Sequence, residues 1–151
     1  PIKAAEAAER MFEAYGGEKA SDDFVVDSLG VGAGTAGFLI KKGYNVVKHK
    51  GGESATDKEQ FRNMRSQVWF GLRDALRDGW LFFHEEAFDK ADEWDNFCAQ
   101  LCSLKTKAGN ERYEEIITKA EMKSLGIKSP DRGDSMTMQF APSGAKSVSA
   151  W

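Results

Sequence analysis

The sequence is poor in cysteine and histidine, and this scarcity argues against zinc-binding and disulfide-rich proteins. It contains two cysteines, Cys98 and Cys102, and two histidines, His49 and His84, which lie far from the cysteines along the chain. The sequence therefore does not bring together the four ligands of a structural zinc ion. We expect both cysteines to be buried, reduced thiols, which fits an intracellular compartment.

Long apolar runs and an excess of positive charge are absent as well. No stretch approaches the roughly 18 apolar residues that a membrane-spanning helix requires, so we expect no membrane partner. The formal net charge of −3 argues against a uniformly basic surface of the histone type. One local basic cluster is present, and it consists of Lys41, Lys42, Lys48, His49 and Lys50.

The overall composition is that of an ordinary globular protein, with 41% hydrophobic and 30% charged residues in 151 positions. A chain of this length buries roughly two-thirds of its unfolded surface, which is enough for one compact domain. We predict this domain over residues 1–141, followed by a flexible tail of small and polar residues at 142–151.

Apolar runs and glycines predict a strand–helix–strand unit near the start of the chain. Residues 23–27 are typical of a central strand, the helix after them ends near Lys42 at Gly43, and "YNVVKHK" (44–50) forms the next strand. Such a unit favours an α/β fold with a parallel pair of strands.

The middle of the sequence predicts a long helix and a short strand. Thr56 and Glu59 have the spacing of a capping box ahead of this helix. The following "WLFF" (80–83) is apolar throughout, so we expect it to be a short buried strand.

The last third predicts a hairpin and a final helix. "LKTKAGNERYEEIIT" (104–118) has the pattern of two strands around a turn at Gly109-Asn110. Ser129, followed by Pro130, is the expected N-cap of the last helix.

The loop "DSLGVGAGTAG" (27–37) allows two interpretations, of which the first is a dinucleotide site. Gly32, Gly34 and Gly37 form a GxGxxG sequence. That fingerprint places its first glycine directly after the strand, whereas five residues separate Val26 from Gly32 here. The fingerprint also has an acid at the end of the next strand, which binds the ribose hydroxyls, whereas this chain has Lys48, His49 and Lys50 there. Basic residues at this position are compatible with a cofactor that carries a 2′-phosphate. An NADP-binding, Rossmann-like domain is therefore one alternative.

The second interpretation starts from Asp27, an acid at the end of a buried strand. Such a carboxylate is costly unless it is paired or binds a cation, although an aspartate here also suits a turn or cap. A second pair of acids, Asp131 and Asp134, is spaced three apart on one face of the last helix. Asp131 suits the first helical turn, whereas Asp134 has no such explanation. If these acids converge, they would hold divalent metals roughly 4 Å apart for phosphodiester hydrolysis.

Three segments in order resemble the nuclease domain of bacteriophage large terminase subunits. "VVDSLGVGAGTAGFL" (25–39) is similar to a strand, acid and glycine loop of that family. "YNVVKHKGGESATDKEQFRNMRSQVWFGLRDALRDG" (44–79) resembles its next strand and long helix, including the F-x-N-x-R sequence that begins at Phe61. "ITKAEMKSLGIKSPDRGDSMTMQFA" (117–141) resembles its closing segment, in which Ser-Pro-Asp precedes a further acid.

The resemblance implies an RNase H-like (ribonuclease H-like) α/β fold, a mixed sheet flanked by helices, here lacking one or more N-terminal strands. It implies metal-dependent cleavage of double-stranded DNA, with two Mg²⁺ or Mn²⁺ ions held by Asp27 and Asp134 and assisted by Asp131. The family carries a further acid on an earlier strand, in a Gly-x-Asp context that does not occur ahead of Asp27. A truncated, divergent or catalytically silent copy of the nuclease fold is therefore a third reading.

The resemblance also implies partners and a location. These are double-stranded DNA, the terminase ATPase domain, the small terminase subunit and the portal, in the host cytoplasm of a phage-encoded protein. Lys48, Lys50 and Lys119 are the candidate DNA contacts. No GxxxxGK[ST] sequence occurs in these residues, so we ascribe no ATP-driven translocation to them.

Overall fold

A computed structural model of the protein describes residues 1–107 and 112–142. They form a mixed α/β structure that divides into two compact units, Pro1–Lys50 and Gly51–Phe140. The elements are α1 (Ile2–Ala14), β1 (Asp23–Asp27), α2 (Val31–Lys41), β2 (Asn45–His49), α3 (Met64–Arg77), α4 (Ala91–Cys102), α5 (Lys119–Ser124) and α6 (Asp131–Thr137), with short 3-10 turns at Glu85–Ala87 and Met138–Phe140. Within the described ranges, no helix is both long and apolar enough to cross a membrane.

The first unit is built on the predicted strand–helix–strand arrangement. Strands β1 and β2 are parallel, and their register runs from Asp23 opposite Asn45 to Asp27 opposite His49. The chain leaves α2 through Gly43, whose φ of 83° suits a residue without a Cβ atom. The parallel pair is therefore confirmed. In the described part of the chain this sheet has two strands, which are parallel. The mixed sheet that the resemblance implies would contain more strands and both directions.

Three aromatic rings hold α1 against the sheet of the first unit. Phe12, Phe24 and Tyr44 lie with ring centroids 4.9 to 5.3 Å apart, and the two pairs that include Tyr44 meet edge to face. They pack with the fully buried Ala5 and Leu39. Such ring pairs stabilise a core beyond the area that they bury.

At the edge of this core, Glu9 forms an ion pair with Lys42 and accepts a hydrogen bond from Tyr44. The Tyr44 hydroxyl donates to Glu9 Oε1 at 3.0 Å, and the Lys42 ammonium pairs with Glu9 Oε2. The hydrogen bond from Lys42 lowers the pKa of Glu9. Loss of hydration, together with the bond to Glu9, raises the pKa of Tyr44. The hydroxyl therefore stays a donor, and α1 remains tied to the residues that follow α2.

The long helix α3 begins later than its sequence predicts. The Asn63 side chain accepts a hydrogen bond from Ser66 N at 2.9 Å and caps the helix. Thr56 is not the cap, because its backbone N–H donates to Gln67 Oε1 at 2.7 Å in the loop before α3. The predicted capping box at 56–59 is therefore wrong.

One face of α3 supplies the core of the second unit. Ser66 is fully buried there, and its hydroxyl accepts from Ile116 N at 3.2 Å. The bond satisfies a backbone donor that would otherwise be buried without a partner. The apolar residues around it are Val68, Trp69, Phe70, Leu72, Phe97, Ile116, Ile117 and Met122.

The predicted strands of the second unit are largely replaced by irregular chain. "WLFF" (80–83) is not a strand, and Trp80 and Phe82 are 80% and 69% exposed. Its apolar composition misled the prediction, because alternate side chains of the segment face solvent. Among the described residues of the predicted hairpin at 104–118, one antiparallel bridge joins Thr106 and Ile116, flanked by hydrogen bonds from Lys107 N to Glu115 O and from Ile117 N to Lys105 O. Its turn at Gly109-Asn110 lies outside the described residues, as does the predicted tail beyond residue 142.

The two cysteines lie on α4, four residues apart. Both are free thiols, with Cys98 partly buried and Cys102 exposed. The expectation of a buried thiol is therefore wrong for Cys102, because α4 turns this side chain away from Phe97, which belongs to the core.

The capping box of this protein lies at α5. Thr118 Oγ1 accepts from Glu121 N at 3.2 Å, and Glu121 Oε2 accepts from Thr118 N at 2.7 Å. The other carboxylate oxygen of Glu121 lies 3.1 Å from Lys107 Nζ. These bonds, the one from Thr118 N first, lower the pKa of Glu121 from 4.5 to about 2.

We predict that Glu121→Gln destabilises the protein in a pH-dependent way. The folded-state pKa is depressed, so the carboxylate stabilises the fold above pH 4.5 and this contribution is lost as the pH falls towards 2. The variant should unfold at a slightly lower temperature than the parent at pH 7, and the difference should shrink below pH 4.5. Thermal unfolding followed by circular dichroism measures it, with the exposed Glu59→Gln as control. A difference that does not change with pH would contradict the assignment.

Candidate functional site

The acid predicted to be the last metal ligand, Asp134, lies in a cluster built by three helices. Helix α6 carries Asp134, α3 carries Arg65 and Trp69, and α5 begins with Lys119. Arg65 and Trp69 are four residues apart and so face the same side of α3. We call these four residues the Asp134 cluster.

The two oxygens of the Asp134 carboxylate have different surroundings. Oδ1 accepts from Trp69 Nε1 at 2.9 Å and from Arg65 Nη2 at 3.4 Å. Oδ2 is buried, and Lys119 Nζ approaches it to 2.8 Å outside hydrogen-bond geometry. No described residue makes a hydrogen bond to Oδ2. One oxygen is therefore anchored, and the other is held by charge alone.

Arg65 and Trp69 are the site residues that the sequence interpretation missed. The pattern of α3 suggests a solvated arginine and a tryptophan without a function, but the Arg65 side chain is 16% exposed and Trp69 is 7% exposed. Arg65 Nη1 also donates to the carbonyl of Ile117 at 2.8 Å, which connects α3 to the chain ahead of α5. A buried indole N–H needs an acceptor, and that requirement was the available signal.

Asp131 lies at the start of α6 and has different partners from Asp134. Its Oδ1 accepts from Ser129 Oγ at 2.6 Å. The helix begins at Asp131 with Pro130 as the N-cap residue, so the predicted cap at Ser129 is displaced by one position. Asp134 consequently lies in the first helical turn, which favours an acid at this position too.

Asp27 ends β1 in the first unit, at the carboxyl edge of the parallel pair. Its Oδ1 accepts from Leu29 N at 3.1 Å, which is the bond of a turn aspartate. Ser28 continues the edge, and its N–H and hydroxyl both donate to the carbonyl of His49. The carboxyl ends of parallel strands are a common place for binding sites. The turn interpretation of Asp27 is thus observed, and it leaves Oδ2 without a described hydrogen-bond donor.

The glycines of the loop are explained by packing within the first unit. A Cβ atom at Gly32 would lie 1.7 Å from the carbonyl oxygen of Asp27, so only glycine fits there. A Cβ atom at Gly34 would meet Pro1, and one at Gly37 would meet nothing within 4 Å. The helix already begins at Val31, so these glycines lie inside α2 rather than ahead of it. No observation favours a dinucleotide site.

The candidate DNA contacts occupy different surroundings. Lys48 is exposed on β2, and Lys50 follows the end of the same strand. They flank His49, which is opposite Asp27 in the register. Lys119 pairs with Asp134 instead of pointing freely to solvent, although 58% of its side chain is exposed.

Divalent metals prefer oxygen ligands, and the two predicted carboxylate ligands belong to different units of the structure. Asp134 belongs to the second unit and Asp27 to the first. Among the described residues, no group of three or more His, Cys, Asp or Glu side chains is arranged to hold a metal ion. Oδ2 of Asp134 nevertheless fits a metal ligand, because it is buried, makes no described hydrogen bond and is balanced by the Lys119 ammonium at 2.8 Å, whose place a metal ion could take.

Comparison with solved structures identifies similar proteins. A mutant nuclease domain of the large terminase subunit gp2 of bacterial virus Sf6, with manganese and β-thujaplicinol, is 25% identical; the match covers 94% of this chain and 73% of that chain at a TM-score of 0.72. The unmodified domain is 25% identical, with 93% and 72% coverage and a TM-score of 0.72. The mutant with calcium is 26% identical, with 92% and 71% coverage and a TM-score of 0.71.

These similarities confirm the resemblance to the nuclease domain of a phage large terminase subunit. No family model matches the sequence, and no curated protein matches it.

We predict that Gly133→Ala destabilises the second unit and disturbs Asp134. A Cβ atom at Gly133 would lie 2.6 Å from the Trp69 ring and 3.4 Å from Leu101, so α6 would have to move away from α3. The expected cost is about 1–3 kcal/mol of unfolding free energy, typical of overpacking. Denaturant unfolding followed by tryptophan fluorescence measures it.

The matched control for this substitution is Gly37→Ala. Gly37 lies inside α2 and has nothing within 4 Å of the added Cβ atom. The control should be neutral or stabilising by up to about 1 kcal/mol. Equal effects of the two substitutions would contradict a close approach of α6 to Trp69.

Proposed function

We propose that this chain is a metal-dependent endonuclease domain of a phage DNA-packaging terminase and cleaves double-stranded DNA. The similarity to the Sf6 nuclease domain supports a nuclease role. The observation that carries the proposal within this chain is the Asp134 carboxylate, which is anchored through one oxygen while the other is buried without a hydrogen bond. An RNase H-like fold is part of the proposal, with β1 and β2 as two of its strands.

Asp27 and Asp134 would hold Mg²⁺ or Mn²⁺, two ions in all, and Asp131 would assist. Carboxylates are suited to this task, because hard divalent cations take their ligands from oxygen. When bound, the ions lower the pKa of a water molecule and stabilise charge on the leaving oxygen of the phosphodiester. The two Sf6 domain structures with manganese and with calcium support a divalent ion in domains of this kind.

The other residues of the Asp134 cluster orient the carboxylate. Trp69 and Arg65 fix Oδ1, so Oδ2 keeps its direction when its own partner changes. Lys119 balances the negative charge at Oδ2, and its largely exposed side chain is free to give way to a metal ion. Second-layer donors of this type commonly set the affinity of a metal site.

The substrate and partners follow from the same proposal. Lys48 and Lys50 would neutralise phosphates of double-stranded DNA near the end of β1. The terminase ATPase domain, the small terminase subunit and the portal are the proposed protein partners, in the host cytoplasm. The competing proposal is a non-catalytic remnant of the nuclease fold.

We expect the full chain to nick supercoiled plasmid in Mg²⁺ or Mn²⁺, and Asp27→Asn and Asp134→Asn to abolish this activity. Each substitution keeps the size of the side chain and removes one metal-binding charge. A direct ligand should cost at least the roughly 10–100-fold that second-layer partners cost. Nicking is measured on agarose gels over time, with melting curves to establish that each variant is folded.

The matched control is Asp78→Asn, an exposed aspartate paired with Arg77 at the end of α3. It should nick at the rate of the parent chain. Absence of metal-dependent nicking by the folded parent would refute the proposal in favour of the non-catalytic remnant. Loss of activity in Asp78→Asn as well would show that the effect of the other substitutions is not local.

We further expect Trp69→Phe to weaken metal binding while the protein stays folded. The change removes the N–H donor to Asp134 Oδ1 and keeps an aromatic ring in the core. The expected loss is about tenfold in Mn²⁺ affinity, as for other second-layer donors. Isothermal titration with Mn²⁺ measures it, and Trp94→Phe is the control outside the Asp134 cluster. Unchanged affinity in Trp69→Phe would exclude a positioning role for the indole.

A further inference from the structure

The segment Trp80–His84 presents aromatic side chains to solvent in an alternating pattern. Trp80, Phe82 and His84 are exposed, whereas Leu81 and Phe83 are partly buried. A period of two is typical of an extended strand with one face covered. His84 has extended backbone angles, with φ −95° and ψ 127°. We call residues 80–84 the aromatic segment.

The backbone of the aromatic segment is largely unpaired. Trp80 N and Leu81 N both donate to the carbonyl of Ala75, and the His84 carbonyl accepts from Ala87 N. Between these bonds, the N–H and C=O groups of Phe82 and Phe83 make no hydrogen bond with any described residue. An extended chain with free donors and acceptors is a template for pairing with another strand.

Two adjoining cavities lie beside the aromatic segment. Their volumes are about 440 and 470 Å³, and Phe83, His84 and Phe88 line both. Beneath them, Phe83 meets the buried Phe97 edge to face at 4.9 Å, so one wall is fixed by the core. Cavities of this size accept side chains of a bound peptide.

The charge around the aromatic segment is strongly negative. Residues 80–95 contain six acids, which are Glu85, Glu86, Asp89, Asp92, Glu93 and Asp95, and one lysine, Lys90. Glu85, Glu86 and Lys90 line one of the cavities. Glu93 and Arg132 line the other and pair at 3.8 Å, so Glu85 and Glu86 are the acids available to a cationic partner there. This excess would repel nucleic acid and attract cationic side chains.

We propose that the aromatic segment is a docking site for an extended, lysine- or arginine-rich segment of a partner protein. The partner strand pairs with the free backbone groups of Phe82 and Phe83, as in other cases of strand addition. Its apolar side chains contact Trp80 and Phe82 or enter the cavities, and its basic side chains meet Glu85 and Glu86. The residues that line this surface do not include Asp27 or Asp134, and the proposal does not depend on nuclease activity.

The test uses a short peptide of alternating lysine and valine, labelled with a fluorophore, and the full chain. Binding is measured by fluorescence anisotropy, and the bound surface by amide chemical-shift changes. We expect saturable binding, with shifts concentrated at residues 80–88. A peptide with glutamate in place of lysine should not bind, and one with alternate backbone nitrogens methylated should bind at least about tenfold more weakly, because it cannot form the strand pairing.

The double variant Trp80→Ser with Phe82→Ser tests the aromatic contribution. Both side chains are exposed, so the melting temperature should stay close to that of the parent, and the affinity should fall about tenfold or more. The matched control is Tyr15→Ser, an aromatic residue that is 86% exposed in the first unit. Glu85→Lys with Glu86→Lys tests the charge, with the exposed Glu59→Lys as control.

Several outcomes would overturn the proposal. One is equal binding of the methylated peptide, which would exclude strand pairing. Another is an affinity of the Trp80 and Phe82 double variant that matches the Tyr15 variant. Sedimentation showing self-association that this double variant abolishes would make a second copy the occupant. Chemical shifts at 80–88 produced by duplex DNA would assign the surface to nucleic acid instead.

Discussion

The hydrogen bond from Trp69 to Asp134 is the interaction on which the second unit depends. It joins the middle of α3 to the first turn of α6, and Gly133 lets the two helices approach closely enough to form it. Because the indole is almost fully buried, both partners would be costly to leave unpaired. A polar contact inside the core thus fixes where the proposed metal ligand stands.

The same contact separates the two tasks of the carboxylate. Oδ1 serves the fold through Trp69 and Arg65, and Oδ2 carries the charge that Lys119 balances. The Asp134 side chain is already fixed in the folded protein, so it would lose little conformational freedom on binding a cation. The entropic cost of ordering this side chain is therefore met during folding. A structural role and the proposed metal-binding role are therefore combined in one side chain.

The sequence predicted the first unit well and the second one poorly, for physical reasons. Apolar runs such as 23–27 and 45–49 form strands that pair with each other across a single intervening helix, so the interactions that define them lie close together in the sequence. The "WLFF" run was wrongly predicted to be a buried strand. Apolar composition indicates that a segment tends to be buried, but it does not show that other parts of the chain pack over it. Arg65 was missed because its acceptor, Asp134, lies 69 residues away along the chain. Asp134 itself was singled out by its spacing from Asp131 and by the family resemblance.

Gly32 has a consequence for how the loop after β1 varies between proteins. A Cβ atom at this position would lie 1.7 Å from the backbone carbonyl oxygen of Asp27, so the path of the chain at the end of β1 requires glycine here. A homologue that replaces this glycine must rebuild the turn, and the side chain at position 27 would then point in a different direction. Homologues that keep the course of the chain after β1 should therefore also keep glycine at this position.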